Sequence, residues 1–139
     1  MIAEKNIAQI HDKSGKMHDA YVGYSKGTVI SVCSLPFYQP IDSVTILSTG
    51  EMQNRIRDSK FNGNKELAKL WFGRVKSGIL NGIIPVSSGF LYGFIHPDNK
   101  PAMDEVKYLG FHIENIMRNG ESLVRFYLSI DEIIMSVVK

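Results

Sequence analysis

The residues of this chain best suited to chemistry are its cations. Between Ser48 and Gly82 stand seven lysines and arginines (Arg55, Arg57, Lys60, Lys65, Lys69, Arg74, Lys76) against three acids (Glu51, Asp58, Glu66), a surplus of four positive charges. Of 16 basic and 14 acidic residues in all, that leaves nine and eleven elsewhere, so a net charge of +2 conceals a basic middle. Cations on a helical face neutralise phosphates or acidic surfaces, and neighbouring aromatics such as Trp71 and Phe72 can stack on bases. Arg55, Arg57, Lys65, Lys69 and Lys76 are therefore the candidate binding residues, and nucleic acid or an acidic protein surface is the partner they call for. The competing reading is a solvated helix face with Trp71 in the core. Base-edge reading is disfavoured, because the second helix carries mainly lysine and few Gln, Asn or Arg side chains.

No other set of residues completes a catalytic or metal-binding pattern. His11-Asp12 and His18-Asp19 would suit a metal pair if a hairpin joined them, but there is no His-x-x-x-His and no Cys-x-x-Cys, so no metal is expected. His96, at a strand end before Pro97, suits acid–base work. Ser87 and Ser88 lack a Gly-x-Ser-x-Gly elbow and read as loop punctuation. Pro97-Asp98 followed by Glu105-Val106-Lys107 resembles the Pro-Asp … Glu-x-Lys pattern of a nuclease superfamily, in which two carboxylates hold Mg²⁺ and a lysine activates water. The spacing here is short, and Asp98 falls in a proline-bounded turn. Cys33, the only cysteine, lies in an apolar strand and reads as an inert thiol. The glycines form no nucleotide-binding loop, and no cofactor is expected.

These residues must be positioned by one domain, 1–139, since 44% hydrophobic and 22% charged content is ordinary for a globular fold. The lone cysteine suits a reducing compartment, the N-terminus shows no secretory signal, and no apolar run approaches the ~20 residues of a bilayer span. A cytoplasmic protein without a membrane partner is expected, and self-association into a homo-oligomer is compatible with the aromatic pair Phe37-Tyr38 in the corner between Pro36 and Pro40.

The fold class expected is α+β, an antiparallel sheet of about five to seven strands packed by a central helix pair. Strands are expected over 6–11, 18–24, 28–35 and 41–47, with a tight connection at Ser25-Lys26-Gly27. Ser48-Thr49-Gly50-Glu51 resembles a capping box and predicts a helix over about 49–61, broken by Asn62-Gly63-Asn64. A second helix over about 65–80 follows from the apolar spacing of Leu67, Leu70, Trp71, Val75 and Ile79. A strand is expected over 89–96, with Phe90, Tyr92 and Phe94 on one face. The stretch 104–118 reads as helix or strand. Gly110 within a helix would cost about 1 kcal/mol, so a hairpin through Asn119-Gly120 is preferred, with a short helical turn near Ala102–Glu105. A final helical turn is expected over 133–138.

With no catalytic constellation in view, the reading leans away from an enzyme. It favours a binding or regulatory protein that uses a basic helical face on an anionic partner. Two alternatives stand beside it: a small metal-dependent phosphodiesterase or nuclease built on Asp98, Glu105, Lys107 and His96, and a protein–protein interaction module such as an inhibitor or assembly subunit.

Overall fold

The computed structural model describes residues 7–25 and 28–137. Lys26 and Gly27 of the expected connection, and the N-terminal residues on which the expected absence of a leader rests, lie outside those described. The architecture is α+β with antiparallel strand pairing, as expected. Its eight strands form two sheets rather than one, and the finer plan differs in two places.

Five strands succeed one another as neighbours: β1 (Ile7–His11), β2 (Met17–Ser25), β3 (Val29–Ser34), β4 (Gln39–Ile46) and β5 (Met52–Arg57). Period-two burial explains them, since Ile30 and Val32 of β3 and Val44 and Ile46 of β4 all turn inward. A 3₁₀ turn at Ser59–Phe61 leads to α1 (Lys65–Leu80), which packs against β1, β2 and β3. Asn64 caps α1 by accepting from the Leu67 N–H at 2.9 Å. Leu67, Trp71 and Val75 are buried on its inner face, each worth about 1.5–3 kcal/mol of apolar burial.

The second sheet has the order β6 (Phe90–Ile95), β8 (Glu121–Ser129), β7 (His112–Arg118). Helix α2 (Lys100–Tyr108) carries the chain from β6 to β7, and α3 (Ile130–Val137) follows β8. One face of this sheet buries Leu91, Ile95, Phe126 and Leu128 in a core continuous with that of the first sheet. The other face presents Phe90, Tyr92, Phe94, Arg125 and Tyr127. No helix among the described residues is long and apolar enough to cross a membrane.

The helix expected over 49–61 is instead β5 and the 3₁₀ turn. The apparent capping box fails because Gly50 closes a turn, its N–H donating to the Leu47 carbonyl at 2.8 Å with φ +105°. Residues 52–57 then pair with β4, Arg57 opposite Asp42. Only strand spacing aims Arg55 and Arg57 to the same side.

The stretch 104–118 divides between the two readings. It completes α2 and then forms β7, whose hairpin with β8 turns at Asn119-Gly120 as expected. The helix is tolerated because Gly110 lies beyond its end. There, with φ +93°, its N–H donates to Lys107 while that of Phe111 donates to Val106, satisfying the last carbonyls.

Candidate functional site

Among the described residues one backbone bridge joins the two sheets. Glu51 and Tyr92 form a single parallel bridge, and the Tyr92 N–H donates to the Gly50 carbonyl at 3.1 Å. Only glycine allows this approach, because a Cβ on Gly50 would lie 2.1 Å from the Phe90 carbonyl oxygen. Beyond the bridge β5 and β6 continue in the same direction but share no ladder among the described residues. Sheet twist carries such strands apart. The gap is a cavity of about 460 Å³, walled by Met52, Gln53 and Arg55 on one side and by Phe94, His96 and α2 on the other. Its size suits a small-molecule ligand. As the last strand of its sheet, β5 turns an unpaired edge of N–H and C=O groups toward that gap.

Three charged side chains, Arg55, Arg57 and Glu105, line it, and a fourth, Asp42, backs the arginines. Asp42 is buried, and it accepts from Arg55 Nε at 2.7 Å, Arg55 Nη2 at 2.9 Å and Arg57 Nη2 at 3.0 Å. Glu105 of α2 accepts from Arg57 Nη1 at 2.6 Å and Arg55 Nη2 at 3.0 Å. Burial opposes the charge on Arg57, but Asp42 and Glu105 outweigh it and hold its pKa above the ordinary arginine value. The Arg55 guanidinium also lies 4.5 Å from the centroid of the Trp71 ring.

A smaller cavity of about 280 Å³ adjoins the first at Gly63, Pro101 and Glu105. It lies over the start of α1, where Asn64 and Lys65 line it together with Tyr108. The Nζ atoms of Lys65 and Lys69 stand 5.0 and 5.7 Å from the Tyr108 ring centroid. The Leu67 and Ala68 N–H groups are taken by Asn64. Those of Lys65 and Glu66 are the first-turn donors that an α-helix leaves to outside partners.

The five cations singled out in the sequence thus do not form one helical face. Arg55 and Arg57 lie on β5 inside the cleft, Lys65 and Lys69 flank Tyr108 at its mouth, and Lys76 sits farther along α1 over Phe72. The nuclease-like set is scattered too. Glu105 and His96 line the cleft, but Glu105 is bound to two arginines, His96 is 3.6 Å from Glu121, and Asp98 and Lys107 are exposed. Among the described residues no group of three His, Cys, Asp or Glu side chains could hold a metal. His11 faces Glu66 at 3.4 Å, whereas His18 is held by Asp12 at 2.9 Å against the ring of Phe61. Cys33 is partly buried, which pushes its thiol pKa up and away from thiolate chemistry.

Sequence reasoning missed Asp42 altogether, and it took Asn62-Gly63-Asn64 for a simple helix break. The usable signal was Arg55-x-Arg57, a period-two pair of cations needing a carboxylate on the next strand. A second pair also escaped notice: His112 Nε2 lies 2.5 Å from Glu132 Oε2. His112 holds the Glu132 carboxyl below its usual pKa, helped by the Ser129 N–H. His112, Tyr127 and Tyr92 occupy one row across β7, β8 and β6, and the row reaches Glu51 through the bridge.

No protein-family model matches the sequence, and no curated protein sequence does. Solved structures do match. The ribosomal-protein-S5-alanine acetyltransferase of Vibrio fischeri superposes with a TM-score of 0.59 at 13% identity over 81% of this chain and 63% of its own. For the spermidine/spermine N-acetyltransferase of Vibrio cholerae the values are 0.57, 16%, 78% and 70%. For a GNAT-family acetyltransferase of Bacillus anthracis they are 0.57, 9%, 76% and 68%. The chain spans about two thirds of the length of the structures it resembles. At these identities the likeness is one of fold, and the fold is GNAT-like.

That finding corrects the expected function. Its neighbours are acetyltransferases, not non-enzymatic proteins that grip nucleic acid or an acidic surface, and not nucleases or assembly modules. The basic helical face is also absent as drawn, because Arg55 and Arg57 lie on a strand and are neutralised within the chain.

Proposed function

We propose that this chain is an acyl-group transferase whose donor, a coenzyme A thioester, enters between β5 and β6. The observation that carries the reading is the parting of these two strands after one bridge, which opens a slot beside an unpaired strand edge. An extended donor arm with amide groups can pair with such an edge as an added strand does. Trp71 Nε1 and Arg57 Nε lie beside the slot as buried donors without a partner among the described residues, which suits the carbonyl oxygens of that arm. The donor's phosphates would lie over the start of α1, where Gly63, the first-turn N–H groups, Lys65 and Lys69 favour anions.

Transfer breaks the thioester C–S bond and forms a bond from the acyl carbon to the acceptor, whose proton ends on the sulfur. Two of the neighbours are named for acylating amines, a spermidine or spermine nitrogen and an alanine, so an amine is the acceptor class proposed. Neither cavity is lined by a cysteine among the described residues, which favours direct transfer over a thiol-bound intermediate. His112, oriented by Glu132, is the group suited to receive the amine proton on the outer face of the second sheet. A cytoplasmic setting suits both the reduced cysteine and a thioester donor.

The test is calorimetric titration with coenzyme A and acetyl-coenzyme A, followed by thiol release in the presence of a panel of amines. Binding in the micromolar to submillimolar range, with thiol release that needs an amine, is the expected result. Absence of coenzyme A binding at millimolar concentration would end the reading.

A further inference from the structure

The four charges in the cleft are balanced, two guanidinium groups against two carboxylates, but the carboxylates are not equivalent. Asp42 comes from β4, the neighbouring strand, accepts three guanidinium hydrogen bonds and has a side chain only 2% exposed. It belongs to the sheet and does not line the cavity. Glu105 reaches over from α2 on the opposite wall, accepts two bonds and lines both cavities where they meet. Arg55 Nη2 and Arg57 Nη1 each give Glu105 one bond, at 3.0 and 2.6 Å, so the two arginines hold its carboxylate as a fork. Such a fork fits a phosphate as readily as a carboxylate.

From this geometry we infer that Arg55 and Arg57 form a seat for a ligand phosphate, which Glu105 occupies until the ligand displaces it. The inference rests on the cleft being the donor site, and it adds two arginines and a competing carboxylate to the Gly63, Lys65 and Lys69 end of that site. Exchange is required, not addition. A second anion beside Glu105 would leave the buried site with excess negative charge, whereas replacing Glu105 keeps each guanidinium paired. Asp42 stays in place and holds both arginines in register for either occupant. Because Glu105 belongs to α2 and the arginines to the first sheet, displacement also releases the ion pairs between those two walls. Entry of a phosphate and freeing of α2 are then a single event.

The experiment titrates inorganic pyrophosphate, at fixed low ionic strength, into the wild-type chain and into Glu105→Gln, Arg55→Lys and Lys76→Ala. Thermal melting of each variant confirms the fold. Glu105→Gln keeps the shape and removes the competing charge, so pyrophosphate should bind about tenfold more tightly. Arg55→Lys keeps the charge but loses the fork, so binding should weaken about tenfold. Lys76→Ala, outside the cleft, should match wild type. Unchanged or weaker binding by Glu105→Gln overturns the inference, as does Arg55→Lys binding like wild type. If pyrophosphate responds as expected while coenzyme A neither binds nor turns over, the phosphate seat stands and the transferase reading falls. If acetyl-coenzyme A is consumed while the Glu105 variant leaves pyrophosphate binding unchanged, the reverse holds.

Discussion

Asp12 and Asp42 are both carboxylates shut away from water, yet they are satisfied by opposite means. Asp12 sits in the turn between β1 and β2 and accepts from Ser14 Oγ, the N–H groups of Ser14 and Lys16, and His18, all within six residues. Asp42 is met by Arg55 and Arg57, 13 and 15 residues away, which in turn bind Glu105 from the other side of the cleft. The first arrangement closes a hairpin and faces no cavity described here. The second holds two cations at the wall of the cavity of about 460 Å³ where the sheets separate. Burial of a charge therefore does not by itself mark a functional site. What distinguishes Asp42 is that its partners face ligand-sized space and bridge the first sheet to α2.

The comparison breaks first on Asp42. Replacing it with alanine leaves the largely buried Arg57 and the more exposed Arg55 facing one carboxylate, and a loss of about 3 kcal/mol, the lower end for a broken buried pair, is expected in urea unfolding. A loss below 1 kcal/mol would show the arginines to be solvated in solution. Asp12→Asn should cost less, since the turn amides keep an acceptor oxygen. A loss equal to that of Asp42→Ala would erase the distinction.

The same variant sharpens the comparison through pH. Bonds from the Ser14 hydroxyl first, then from His18 and the turn amides, hold Asp12 well below the usual carboxylate range. Its folded pKa thus lies under the unfolded value of about 3.9, so its contribution is complete above that pH and drains away as acid is added. Wild type should lose more stability than Asp12→Asn between about pH 5 and pH 2. Glu132, also lowered, leaves a residual slope of the same sign in both. Parallel profiles would remove Asp12 as the cause. The smallest effect belongs to Ser14→Ala, which deletes one hydrogen bond at the surface of the turn and should cost about 1 kcal/mol.

Much of the first arrangement was legible in the chain. Asp12-Lys13-Ser14-Gly15 is turn chemistry on sight, and its hydrogen bonds lie within that turn and the strand start after it. The site was legible only in part. Of the five cations singled out by charge, Arg55, Arg57 and Lys65 line the adjoining cavities, Lys69 stands over Tyr108 beside them, and Lys76 lies apart. They were given a helical setting that Gly50 and pairing with β4 forbid for Arg55 and Arg57. Glu105 was noticed for the wrong chemistry, because nothing near it in sequence announces two arginines about fifty residues upstream. Gly110 was counted against a helix it terminates, since a glycine just past a helix end and one within it differ only in where the helix stops.

The sequence by itself determined the class of fold, the length of α1, and the hairpin at Asn119-Gly120. Each depends on periodicity or turn preference within a few residues, where backbone sterics and local hydrogen bonds decide. Only the tertiary structure made 52–57 a strand, parted it from β6, and placed α2 opposite so that Glu105 faces Arg55 and Arg57. Those outcomes depend on which distant edge satisfies an unpaired backbone and which distant carboxylate offsets a buried cation, and no local pattern carries that information.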